Sequence, residues 1–167
     1  MTNFVSASQA KSVGSNSSSR NGTRIDTIVL HHTAGGNISG ALSWWADSHQ
    51  ASSHYIVGKQ GEIVEVIPED QKAWHANCVN GRSIGIEIVN MGNGSDPYPA
   101  AQVQAVKQLV QGLAAKYNIA EGTIIGHGCT STNRSASEPT GFPRDLGNGL
   151  HLYTKDGANS YKCTFKC

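Results

Sequence analysis

Short apolar runs separated by polar, glycine-rich breaks divide this chain, and the period within each run predicts its element. "RIDTIVLHH" (24–32) is nearly continuous and rich in branched residues, as expected of a strand covered on both faces. "SSHYIVGKQGEIVEVIP" (52–68) reads as two strands joined at a glycine-containing turn. In "RSIGIEIVN" (82–90) strict alternation puts Ile84, Ile86 and Ile88 on one face of a strand and Gly85, Glu87 and Val89 on the other. The longest helix is predicted over "AAQVQAVKQLVQGLAAKYN" (100–118), where Val103, Val106, Leu109, Val110, Leu113 and Tyr117 recur at helical spacing. "SGALSWWADSH" (39–49) suggests a shorter helix capped by a serine, and "GTIIGHGC" (122–129) a short strand that ends on a histidine. Strands alternating with helices predict an α/β fold, a central mixed β-sheet flanked by helices.

The pattern weakens at both ends. Residues 1–23, rich in Ser, Asn and Gly, read as an N-terminal arm, ordered by docking or a loose leader, 24–153 as one domain, and 154–167 as a C-terminal extension too short to be a domain. The segment 130–150 is too polar and too rich in Gly and Pro for helix or strand, and its position directly after a strand-terminal histidine favours a functional loop.

Composition narrows the partners. Thirteen basic residues oppose twelve acidic ones, so no strong field draws the chain to nucleic acid or to an anionic membrane, and a neutral or mixed polymer is the better fit. No apolar run approaches the roughly eighteen residues of a membrane span, which argues against membrane insertion, and the first residues lack the apolar centre of a secretory signal. The expectation is a protein that stays in its cell or leaves by a route needing no signal. Cys78, Cys129, Cys163 and Cys167 form an even set, but a domain of this size does not require a disulfide framework. "CTFKC" at the end has no second pair of ligands with which to form a zinc knuckle.

Candidate chemistry sits where the strands stop. His31 and His127 each close an apolar strand, and open α/β sheets bind ligands beyond such ends. Neutral imidazole is a common zinc ligand, and a catalytic zinc takes three protein ligands with one position open to water. Alternation sends His31 and His32 to opposite sides of the sheet, so only one of the pair enters a site. Glu87 is a carboxylate in a strand that otherwise reads as core, where an unpaired charge is costly.

"IVLHHTAGG", "SSHYIVGKQGEI", "AWHA", "SIGIEIVN" and "IIGH" occur in an order and spacing that resemble the zinc-dependent N-acetylmuramoyl-L-alanine amidases, a family that includes phage endolysins, wall-recycling amidases and peptidoglycan recognition proteins. The similarity runs from Arg24 to Tyr153. It implies one zinc ion per chain held by His31 and His127, with Glu87 as the catalytic acid and base. It further implies peptidoglycan as partner, a groove wall at Trp74 and His75, a supporting hydrogen-bond role for His54 in the hairpin, and contact of Asn90 with the peptide stem.

The third ligand departs from the family pattern, in which a Cys or Asp, followed by Pro and Gly, commonly lies about ten residues after the second histidine. Here that offset falls on Ser135 to Ser137, so the expectation moves to Asp145 in "PRDLGNGL", with His151 and Cys129 as alternatives. The family's Lys two residues before the ligand would be replaced by Pro143, with Arg144 as a substitute. The resemblance thus implies a monomeric, wall-lytic hydrolase, made in the cytoplasm and reaching the wall through a holin-type pore. The competing reading is a peptidoglycan-binding module with an incomplete zinc site. An unrelated metallopeptidase would call for an HExxH helix, which the sequence lacks.

Overall fold

The computed structural model describes residues 13–164; the rest of the arm (1–12) and residues 165–167, including Cys167, lie outside it. The strands are β1 (Ser17–Ser19), β2 (Thr27–His32), β3 (Tyr55–Val57), β4 (Ile63–Glu65), β5 (Gln71–Ala73), β6 (Ser83–Ile88), β7 (Ile124–Gly126), β8 (Asp145–Gly147) and β9 (Leu150–His151). The α-helices are α1 (Ile38–Trp44), continued by a π-helical turn over Trp45–His49, and α2 (Ala100–Tyr117).

Five strands form the central sheet in the order β4-β3-β6-β2-β7. β2, β3, β6 and β7 run parallel, and β4 is the antiparallel hairpin partner of β3. β2 is an interior strand, paired with β6 on one side and β7 on the other, which explains why its residues Thr27 to His31 are all buried. The expected alternation in β6 is realised: Ile84, Ile86 and Ile88 join Ile28, Leu30 and Ile124 in the larger core, against Val106, Val110 and Leu113 of α2. Burying one such branched side chain contributes on the order of 2 kcal/mol, so this face anchors the sheet. α2 ends at Asn118, in the left-handed conformation with its amide donating to Ala114 O. Glu69 ties this end of the helix to the hairpin, accepting from Lys116 Nζ (2.6 Å), Tyr55 Oη (2.5 Å) and Tyr117 Oη.

Two local expectations change, and the arm takes one of its two expected forms. α1 is capped by Asn37, whose Oδ1 accepts from the Gly40 amide at 2.7 Å, and not by a serine. The segment after His127 contains the two-stranded β8–β9 hairpin, although its sequence shows no strand period. The arm is docked from Val13 onward: β1 pairs with β5, and Asn16 Nδ2 donates to the carbonyls of Trp45 and Ala51. Cys129 pairs with Cys163 across 34 residues of sequence, a closure worth about 3 to 4 kcal/mol in the chain-entropy account. Among the described residues no helix is long and apolar enough to cross a membrane.

His54 is completely buried beneath the sheet end. Its Nδ1 accepts from the Gly85 amide at 2.9 Å, which leaves the proton on Nε2, directed at Gln71 O 3.0 Å away. Burial, reinforced by the Arg20 guanidinium, lowers its pKa to about 4. The unfolded chain, with a histidine pKa near 6.5, binds more protons in between, so this contribution is intact above pH ~6.5 and is lost as pH falls toward about 4. Urea midpoints measured across this range with a chelator present should fall with acidification, and less steeply in His54→Asn. Equal slopes would mean that His54 is not the acid-sensitive group.

Candidate metal centre

The register of the parallel strands builds the site. His31 pairs with Glu87, and Leu30 pairs with Gly126, so His31, Glu87 and His127 come level at the carboxyl ends of three adjacent strands. The histidine rings of His31 and His127 are 4.3 Å apart by centroid. The segment after β7 folds back over them and delivers Glu138, whose Oε1 is 3.2 Å from His127 Nδ1 and 4.0 Å from His31 Nδ1. Gly126 permits this approach, since a Cβ there would lie 2.0 Å from Glu138 O. His31, His127 and Glu138 are all buried, and one donor atom from each lies within 4.8 Å of the others.

Two imidazoles and a carboxylate are a donor set suited to a catalytic zinc with an open position. Burial, followed by the neighbouring rings of His127 and His75, lowers the His31 pKa well below the usual value and keeps its nitrogen lone pair available. Glu87 stands beside the group with Oε1 3.9 Å from His31 Nδ1, and its Oε2 is buried without a hydrogen-bond partner. Burial first, and then the Glu138 carboxylate, push the Glu87 carboxyl up to about 8. An orphaned, desolvated carboxyl at the edge of a donor triad fits a site that would hold a cation.

The remaining expected site residues separate. Asp145 does not join the donor group: it is exposed on β8, and its Oδ1 accepts from the Gly147 amide at 2.9 Å. His151 stacks on Tyr161 and pairs with Glu121, and Cys129 is consumed by its disulfide. Arg144 is buried, donating to Phe142 O, whereas Arg134 lines the groove over the site. Asn90 is buried, with its amide spent on Asp96 O and the Gly92 N–H, so it is not presented to a ligand. His54 is buried as well and supports the Gly85 backbone instead of facing the groove. His32 is not in the donor group but lines the same groove, and it accepts from the Thr140 amide at 3.2 Å, holding the Glu138 loop.

Trp74 and His75 do line the groove. Its volume is ≈ 580 Å³, and Trp44, Trp45, Glu87, His127, Arg134 and Glu138 are among the other residues that line it. Trp74 is fixed from behind by the arm, donating from Nε1 to Ser18 Oγ at 3.1 Å. A second hollow of ≈ 400 Å³ shares Trp74, His75, His127 and Arg134 and adds amide side chains from Gln50, Asn77, Asn80 and Asn133.

A mixed sheet thus brings two strand-end histidines, a loop carboxylate and a buried acid to one aromatic groove, a donor group that could hold a metal ion. The sequence matches the N-acetylmuramoyl-L-alanine amidase family model over residues 21–141, and the chain belongs to that family. It is 31% identical over 143 residues to the amidase AmiD of Escherichia coli, covering 72% of this chain and 51% of AmiD. It is 33% identical over 95 residues to N-acetylmuramoyl-L-alanine amidase A of Achromobacter lyticus, covering 56% of this chain and 54% of that protein. The chain thus spans about half the length of these curated relatives. The solved complex of E. coli AmiD with the substrate anhydro-N-acetylmuramic acid-L-Ala-D-gamma-Glu-L-Lys superposes with a TM-score of 0.61 at 30% identity, covering 68% of this chain and 52% of that one. A selenomethionine AmpD derivative, at a TM-score of 0.61 and 23% identity over 75% of this chain and 84% of that one, shares the fold.

Proposed function

We propose that this protein hydrolyses the amide bond between N-acetylmuramic acid and L-alanine in peptidoglycan, with one zinc ion held by His31, His127 and Glu138. The observation that carries the reading is the convergence of those three donors with the orphaned Glu87 carboxyl at one groove floor. The naming of AmiD's bound substrate supports the same bond as the target.

Bound zinc would supply Lewis acidity and make a water acidic enough to attack near neutral pH. The protein's own groups do the rest. His31 and His127 contribute neutral donors and Glu138 a single negative charge, so the donor set leaves net positive charge where an amide carbonyl becomes an oxyanion. Glu87 takes the proton of the attacking water and returns it to the departing amide nitrogen. Its environment favours both acts, because a carboxyl raised by burial holds a proton more readily than an exposed one, and a cation nearby lowers the same pKa again. Trp44 and Trp74 offer apolar faces to sugar rings, and Arg134 offers a cation to carbonyl or carboxylate oxygens.

The binding-only alternative rested on a missing third donor, and Glu138 removes that motive. The Cys129–Cys163 disulfide supports action on the wall side of the membrane, where such bonds persist. Zinc quantification paired with an assay on purified peptidoglycan tests the proposal. Near-stoichiometric metal and new N-terminal alanine, with no new reducing sugar, are expected. Release of reducing ends, or intact wall in the presence of full zinc, would overturn the assignment.

A further inference from the structure

His75 was expected to be part of the groove wall, yet its ring is also wired to the metal-site histidine. His75 Nδ1 lies 2.9 Å from His31 Nε2, and His75 Nε2 lies 3.0 Å from Ser83 Oγ. The two rings meet edge to face, 5.1 Å apart at 75°. The fold has made room for this arrangement at Gly85, the β6 residue between Ser83 and Glu87: a Cβ there would sit 2.6 Å from His75 Nδ1. A side chain at position 85 would therefore push His75 off His31.

Proton counting turns these distances into a direction. A neutral imidazole carries one N–H, so a His31 that offers the Nδ1 lone pair to a metal must carry its proton on Nε2. That proton points at His75 Nδ1, which must then be an acceptor, placing the His75 proton on Nε2 toward Ser83 Oγ. One consistent assignment runs from the β6 serine through two rings to the donor face shared with His127 and Glu138.

We propose that His75 is a positioning residue that fixes His31 in its Nε2–H tautomer and so presents Nδ1 to the metal. This inference rests on the reading of His31, His127 and Glu138 as the zinc site. Outer partners of a metal-bound histidine set its ring orientation and raise its basicity, and losing one typically costs 10- to 100-fold in metal affinity. Asparagine can place its Oδ1 where His75 Nδ1 stands and still accept from His31, whereas leucine fills similar space and accepts nothing.

Zinc affinity, measured by competition against a chelating indicator, should therefore fall about 10- to 100-fold in His75→Leu and recover most of that loss in His75→Asn. Nitrogen-15 correlation spectra of the zinc-loaded wild type should show His31 protonated at Nε2 and unprotonated at Nδ1. If the wild type binds zinc tightly and His75→Leu and His75→Asn match it or weaken it equally, or if His31 carries its proton on Nδ1, His75 has no positioning role while the zinc site stands. A wild type that binds no zinc would remove the site and this role together.

Discussion

Glu138→Ala is expected to strip the protein of zinc, whereas Asp145→Ala should bind it as tightly as the wild type. Glu138 Oε1 lies within 3.2 Å of His127 and 4.0 Å of His31, whereas Asp145 is exposed on β8. Losing one of three ligands should lower affinity by more than the roughly 10- to 100-fold that an outer partner is worth. Because metal binding energy adds to folding energy, the zinc-dependent rise in melting temperature should vanish in Glu138→Ala and persist in Asp145→Ala. The Asp145 substitution loses one exposed hydrogen bond and should cost no more than about 1 kcal/mol. Zinc retained by the Glu138 variant and lost from the Asp145 variant would restore the original sequence expectation.

Glu87→Gln is expected to separate chemistry from binding. Glutamine keeps the shape and burial of the side chain but can neither accept the water proton nor return it to the amide nitrogen. Amide cleavage should fall by about 10²- to 10⁴-fold, the usual worth of a positioned acid or base, while zinc content and retention on insoluble peptidoglycan stay near wild type. If zinc leaves with the substitution, Glu87 is a ligand and the donor set needs redrawing. If cleavage survives, the proton is carried by another group.

Much of the fold could be read from periodicity. β2 and β6 bury the residues their spacing marks, and α2 buries Val106, Val110 and Leu113 while Val103, Leu109 and Tyr117 are partly buried, because an interior parallel strand is covered on both faces and a helix against a sheet needs one apolar stripe. The β8–β9 hairpin could not be read this way, since Asp145 and Gly147 are held by local turn bonds and by Gln111 Nε2 reaching Leu146 O, not by an alternating apolar face. The docked arm was equally silent: Ser17 to Ser19 form a strand only because β5 is there to pair with. Asn90 looked like a ligand contact because it follows the acid strand, but its amide serves the adjoining loop.

Glu138 carried a readable signal. It follows His127 by eleven residues, precedes a proline and comes three residues before a glycine. The family pattern places a Cys or Asp near this offset, and a glutamate differs from an aspartate by one methylene and offers the same oxygen donors.

By itself, the sequence determined the strand ends that carry His31 and His127, the face that Glu87 shares, and the sheet that holds them, since side-chain alternation is a local property of extended backbone. Tertiary structure alone decided which loop carboxylate reaches the histidines, which thiols pair, and that His75 braces His31. Those choices depend on how closely backbones approach, at Gly126 against Glu138 and at Gly85 against His75, and such distances between segments remote in sequence leave no periodic mark on the chain.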